Sequence, residues 1–214
     1  MPVRSPQYPI NLVIEGRRVL VVGGGRVAAA KVAELLACLA RVEVVAPEAG
    51  DRIQDLAASG TIIWSARRYA ATDLDGAWLV ITATDDPAVN AQVAADAEAS
   101  GRWCNSADDP VNCSFTLPSR VRQGPLLVTF STGGHSPALS RWLRERYTEE
   151  FGSEYLTLIE LLAEQRAEII ESGGSTEGLA WSRALSSGML ELIREGNLAE
   201  AKERLKACLS SSSV

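Results

Sequence analysis

Histidine is nearly absent from this chain: among 214 residues only His135 carries an imidazole. One histidine without a clustered partner is poor material for a metal site, and no metal is expected. Cysteine is sparse. Cys38, Cys104, Cys113 and Cys208 include no C-x-x-C pair. They read as reduced thiols of a cytoplasmic protein, not as a disulfide or zinc framework. Basic residues are in deficit, with 21 Lys and Arg against 27 Asp and Glu and a formal net charge of −6. That balance, and the lack of a basic helix-turn-helix, argue against nucleic acid or an anionic membrane as partner. No apolar run approaches the roughly 18 residues that a membrane span needs. Met1 to Ile10 lacks the apolar centre of a secretory signal. Internal repeats and long low-complexity segments are missing too.

What is present begins with Arg18-Val19-Leu20-Val21-Val22-Gly23-Gly24-Gly25-Arg26-Val27-Ala28. An apolar strand runs into three glycines and then into a helix-compatible segment. Gly23, Gly25 and Ala28 fit the G-x-G-x-x-G/A dinucleotide fingerprint. Gly23 allows a tight turn, Gly25 lets the backbone approach a pyrophosphate, and Ala28 lets the helix pack closely on the strand. The helix N-terminus offers free N–H groups to that pyrophosphate.

Strands and helices then alternate. The sequence predicts strands at Val19–Val22, Arg41–Ala46, Thr61–Trp64, Ala77–Thr82 and Trp103–Asn105, with helices at Val27–Leu39, Asp51–Ala58 and Ala88–Ser100. Asp86 reads as an N-cap with Pro87 at the first helical position. This alternation implies an α/β fold with a parallel sheet of the Rossmann type. After Pro110 the pattern changes. Ser114–Leu117 and Leu126–Phe130 read as strands joined by a turn-rich Pro118–Pro125. Ser136-Pro137 opens a helix at Ala138–Tyr147. Helices follow at Tyr155–Glu171 and Glu177–Glu195, then a last one from a capping box at Asn197, with Ser210–Ser213 as a frayed tail. The expected division is residues 1–113, 114–150 and 151–214.

Four motifs carry a resemblance: Val-Val-Gly-Gly-Gly-Arg-Val-Ala (21–28), Thr-Ala-Thr-Asp-Asp-Pro-Ala-Val-Asn (82–90), Cys-Asn-Ser-Ala-Asp-Asp-Pro (104–110) and Ser-Thr-Gly-Gly-His-Ser-Pro (131–137). In this order the chain resembles the precorrin-2 dehydrogenases of siroheme synthesis. That group includes stand-alone enzymes and the N-terminal half of fused siroheme synthases. The likeness is good from residue 8 to about 147 and is limited to length and character in the helical tail. No methyltransferase half follows, so a stand-alone enzyme is expected. The resemblance implies a Rossmann domain for NAD, a small α+β dimerisation region and a C-terminal helical domain, in a cytoplasmic homodimer. It implies that NAD+ takes a hydride from precorrin-2, a proton is lost and sirohydrochlorin forms. Some members also insert ferrous iron, so a bifunctional ferrochelatase stays open. A redox-sensing NAD-binding regulator is the alternative from another class.

The resemblance places Gly23, Gly24, Gly25, Arg26 and Val27 at the cofactor, with Pro47 and Glu48 as its second contact. An acid past strand 2 hydrogen-bonds ribose hydroxyls and disfavours a 2′-phosphate. Thr84 and Asp85 follow strand 4 beside the cofactor crevice. Asp108 matches the family's catalytic aspartate, and Asn105 lies in the same motif. A carboxylate there can accept the proton as the hydride leaves. The doubled acid leaves Asp109 as the alternative, and a plain Asp-Asp-Pro turn as the structural one. Thr132, Gly133, Gly134, His135 and Ser136 resemble the family's substrate-side loop. Many relatives have Ser at the Thr132 position, and Thr or Lys at that of His135. An exposed loop residue is the other reading of His135. Between Thr116 and Tyr147, five arginines, including Arg120, Arg141 and Arg144, face the single acid Glu145, a local excess of +4. Arginine suits a tetrapyrrole bearing eight carboxylates, although charge runs are often only solvating.

Overall fold

The computed structural model describes residues 6–107 and 109–210. The predicted catalytic Asp108 and the tail residues Ser211–Ser213 lie outside the described residues. Two compact units are present: residues 1–117 with 133–135, and residues 118–132 with 136–214.

In the first unit five strands form one parallel sheet: β1 (Arg18–Val22), β2 (Arg41–Val45), β3 (Ile63–Ser65), β4 (Leu79–Thr82) and β5 (Trp103–Ser106). Their order is β3-β2-β1-β4-β5, which reverses between β1 and β4. Alternation along β1 splits its side chains between two cores. Val19 and Val21 join α1 (Arg26–Leu36) and α2 (Asp51–Ala58) through Ala28, Val32, Leu35 and Ile53. Leu20 and Val22 join α3 (Pro87–Ala99) through Val93 and Ala97. A parallel sheet covered on both faces requires such near-continuous apolar strands. The α/β reading of this region therefore holds.

Local chemistry sets the ends. Asp86 caps α3, its carboxylate accepting from Ala88 N at 2.9 Å and Val89 N at 3.4 Å. Helix α1 stops at Leu36, three residues short of expectation, and Leu39 closes the turn with φ 60°. Strand β3 begins at Ile63, later than predicted. Arg18 joins the start of β1 to its surroundings, donating to Glu43 Oε2 at 2.6 Å and to the carbonyls of Asp73 and Asp75 at 3.0 Å.

From residue 114 onward the structure corrects the sequence reading at three places. Ser114–Leu117 is not a strand; Ser114 instead docks on β5, with its N–H donating to Cys104 O at 2.8 Å. The real partner of β7 (Leu126–Phe130) is β6 (Ser119–Gln123), within the supposed connection. Gly124-Pro125 makes a two-residue hairpin turn with Gly124 at φ 54°, as a glycine-first hairpin turn demands. Helix α4 (Pro137–Glu150) follows, capped by Ser136 Oγ, which accepts from Leu139 N at 3.2 Å. Helix α5 (Glu154–Glu171) matches expectation. The predicted single helix Glu177–Glu195 is two short ones, α6 (Trp181–Leu185) and α7 (Met189–Arg194). Gly188, at φ 84°, breaks the path between them. With α8 (Leu198–Ser210) they bury Leu158, Leu161, Ala184, Met189, Ile193, Ala201 and Leu205 in a helical core.

Candidate functional site

The three glycines after β1 do different work. Gly23 sits at φ 123° and donates to Val45 O at 3.0 Å. A Cβ there would fall against the Ala83 carbonyl, 2.7 Å from its carbon. Gly24 carries the loop after β2: its carbonyl accepts from Gly50 N at 2.9 Å. A Cβ on it would meet the Glu48 carbonyl and lie 2.8 Å from Ala49 Cα. Both glycines are required by backbone packing.

Gly25 is different. Its conformation, φ −81° and ψ −171°, is open to any residue, and a Cβ would have no neighbour within 4 Å. Nothing in the fold demands glycine here. Gly25 is the N-cap of α1 and offers no side chain to its N–H groups, and no acid stands in the first turn. Those donors and the positive end of the helix dipole face open space, as an anion site requires. Ala28, the third fingerprint position, is fully buried. A cleft of about 610 Å³ adjoins the cradle, lined by glycines and alanines with Arg26 and Arg52 as its cations and Asp51 as its acid. The residues present therefore fit a dinucleotide pyrophosphate.

Arg26, Val27, Pro47 and Glu48 are exposed around this cradle. Glu48 reaches Gly24 through its carbonyl. Across the switch point, Thr84 is half-buried and Asp85 exposed. The Thr84 hydroxyl is turned inward, with Asn90 Oδ1 at 2.8 Å and Asp86 O at 3.1 Å.

Past β5, Asn105 is buried, and its amide donates to Phe115 O at 2.9 Å and Cys113 Sγ at 3.5 Å. Cys113 holds the neck of this loop. Its sulfur accepts from Ser106 N at 3.2 Å, and Ser106 O and Asp109 O lie 3.3 Å from it. Burial pushes the Cys113 thiol up, the Ser106 N–H opposing, and burial carries Cys104 up to about 12. Ala107 N donates to Thr82 O at 2.8 Å, tying the loop to β4. The Asp109 carboxylate is committed locally, accepting from Asn112 Nδ2 at 2.6 Å. Ser106 Oγ is buried and has no hydrogen-bond partner among the described residues.

In the second unit, Thr132 Oγ1 accepts from Ser136 N at 3.1 Å and lies 3.4 Å from Ser140 Oγ. In the first unit, Gly133 and Gly134 have φ 58° and 79°, and His135 is exposed. The five arginines do not share one surface. Val121 pairs with Val128 and Ser119 with Phe130, whose ring stacks on Tyr147 of α4 at 5.4 Å. Alternation puts Arg120 and Arg122 on the opposite face of the hairpin. Arg141 and Arg144 are exposed on α4, where Arg144 lies 3.6 Å from Glu145. Arg146 lies over the Trp142 ring at 5.4 Å. Among the described residues no group of three His, Cys, Asp or Glu side chains could hold a metal ion, and no helix is long and apolar enough to cross a membrane.

The strand order and the glycine cradle define a dinucleotide-binding α/β protein of the Rossmann type. The sequence profile of the NAD(P)-binding family NAD_binding_7 matches residues 10–119, and the chain belongs to that family. It is 38% identical over 211 residues to a siroheme synthase of Nitrosococcus oceani, covering 97% of this chain and 45% of that protein. It is 34% identical over 208 residues to a siroheme synthase of Photorhabdus laumondii, covering 96% and 44%. The chain thus spans a little under half the length of these curated relatives. Among solved structures it is similar to SirC, a precorrin-2 dehydrogenase, at 25% identity and a TM-score of 0.69, covering 96% of this chain and 98% of that one.

Asn90, whose amide bonds Thr82 and Thr84 at the end of β4, closes the second quoted motif, yet the sequence reading gives it no part in the site. The available signal was its place four residues after the Asp86 cap, one helical turn into α3, where a side chain returns to the strand end.

Proposed function

We propose that this protein is an NAD-dependent precorrin-2 dehydrogenase that forms sirohydrochlorin in siroheme synthesis. The observation that carries the reading is Gly25: a glycine that the fold does not need, at an uncapped helix N-terminus, on a chain similar over nearly its whole length to a precorrin-2 dehydrogenase. The bound oxidised nicotinamide supplies the hydride acceptor. The protein's own part is to hold the pyrophosphate at Gly25, Arg26 and Val27, and to take up the proton at a carboxylate past β5. Asp108 is that carboxylate by its match to the family's motif, and the bond that Asp109 accepts from Asn112 supports the choice. NAD is preferred to NADP because Glu48 stands just past β2, where a 2′-phosphate would meet its charge. Thr132, Gly133, Gly134, His135, Ser136 and Asn105 belong to the tetrapyrrole side, with Arg141 and Arg144 and, from the other hairpin face, Arg120 as carboxylate partners. Residues 114–150 form the dimerisation region of a cytoplasmic homodimer.

The test is dehydrogenation of precorrin-2 with NAD+, read as sirohydrochlorin absorbance, alongside NADH and NADPH titrations. Asp108→Asn is expected to bind NADH normally and lose activity by about 10² or more, and Asp109→Asn to keep most of it. Loss in Asp109→Asn alone moves the role by one residue. No turnover by the wild type overturns the reading.

A further inference from the structure

Four polar groups converge on one buried amide at the carboxyl end of β4. Asn90 is 6% exposed. Its Oδ1 accepts from the Thr82 hydroxyl, from the Thr84 hydroxyl at 2.8 Å and from Thr84 N at 3.3 Å. Its Nδ2 donates to Thr84 O at 3.0 Å. Three donors and one acceptor thus surround a side chain that offers one acceptor atom and one donor atom at the right separation. Asparagine meets this demand at this length. Aspartate would keep the three donors satisfied and set a second acceptor against Thr84 O. Alanine would strand the Thr84 N–H and C=O in a part-buried place.

The segment so held is Ala83-Thr84. Ala83 lies directly against Gly23, at the point where the sheet order reverses and ligands of open α/β sheets bind. The Thr84 hydroxyl and both its backbone polar groups are consumed by the clamp. Thr84 therefore meets a cofactor by where its backbone stands, and Asn90 sets that place. We propose that Asn90 is a positioning residue for the cofactor: it fixes the β4 turn as the wall of the dinucleotide crevice facing the glycine cradle. The inference rests on the dehydrogenase reading above.

The experiment uses the whole chain, with NADH titrated by fluorescence and steady-state KM measured for NAD+ and for precorrin-2. Asn90→Ala is expected to weaken NADH roughly tenfold and raise KM for NAD+ by a similar factor, as stranded backbone groups pull the turn out of place. KM for precorrin-2 stays close to wild type, while the melting temperature falls by roughly 2–12 °C, since a stranded buried polar group keeps its full desolvation penalty. Asn90→Asp, which keeps the three donors satisfied, falls between. Thr84→Val, which removes one hydroxyl and leaves the core untouched, shows the same split and decides the matter should Asn90→Ala fail to fold. Wild-type NADH affinity in folded Thr84→Val and Asn90→Ala overturns the inference. So does a rise in both KM values together, which is what a purely structural role produces. Wild-type protein that binds no NADH overturns the dehydrogenase reading itself, an outcome visible before any variant is made.

Discussion

Placing a side chain at Gly25 separates what the fold needs from what the ligand needs. In Gly25→Val the new Cβ meets no atom within 4 Å, and valine adopts φ −81° and ψ −171° without strain. The cost to stability is expected to be about 0.5–1 kcal/mol, since glycine ranks well above valine at an N-cap. The cost to binding is larger. A Cβ and two methyl groups occupy the space in front of the α1 N–H groups, and each charge-assisted hydrogen bond lost is worth about 1.5–3 kcal/mol. Even one such loss weakens NADH by roughly 10- to 150-fold. Gly24→Ala is the mirror case. Its Cβ lands on the Glu48 carbonyl and 2.8 Å from Ala49 Cα, so backbone must move. Overpacking of this kind costs about 1–3 kcal/mol, a fall of roughly 2–12 °C in melting temperature for a chain of this size. NADH titration by fluorescence and thermal melting by circular dichroism, run on both variants, provide the comparison. A well-folded Gly25→Val with wild-type affinity would refute the cradle, and a melting temperature unchanged in Gly24→Ala would refute the packing argument.

Two further outcomes can be checked at the bench. Arg141→Ala and Arg144→Ala are expected to raise KM for precorrin-2 severalfold and to flatten its rise with salt, since exposed charges are largely screened beyond about 10 Å at 0.1 M; Arg120, on the other hairpin face, acts independently, so its effect multiplies with theirs, and unchanged salt slopes in all three remove the arginines from substrate binding. The Arg67 guanidinium holds the Asp73 carboxyl below its ordinary value, burial opposing and the Ala70 N–H assisting. A depressed carboxyl stabilises the fold above its unfolded value of about 3.9, and that contribution is lost as pH falls through the lower folded value. Asp73→Asn should therefore lower the melting temperature at pH 7 and flatten its decline on acidification; an acid limb as steep as wild type would exclude the linkage.

The first unit was legible because its central strands β1 and β4 are buried on both faces and so read as short apolar runs, with Gly, Pro and a capping Asp as punctuation around them. The hairpin was not, because β6 is Ser-Arg-Val-Arg-Gln: Val121 is its one apolar residue and its one buried residue, and a single apolar residue leaves no period to read. Phe115 and Leu117, by contrast, made a coil segment look like a strand, when what fixes it is the pairing of Ser114 with Cys104. The apolar rhythm of residues 177–195 runs through Gly188 unbroken, so the sequence shows one helix where φ 84° makes two. At the site, the fingerprint spacing marked the glycines because the chemistry is local. The division of labour among them was hidden, since it depends on Ala83 and Glu48, brought near from other strands. Counting charges along residues 116–147 likewise could not tell which arginines share a face.

The bond from Gly50 N to the Gly24 carbonyl has a consequence for redesign of cofactor choice. The turn after β2 is stitched to the glycine turn over Glu48, Ala49 and Gly50, so its length is dictated by the neighbouring loop. Lengthening or shortening it to admit a bulkier ribose substituent would pull the stitch and disturb the phosphate cradle at the same time. On the proposed reading, preference between the two nicotinamide dinucleotides changes most simply through the side chains that this turn displays, with position 48 the first to exchange.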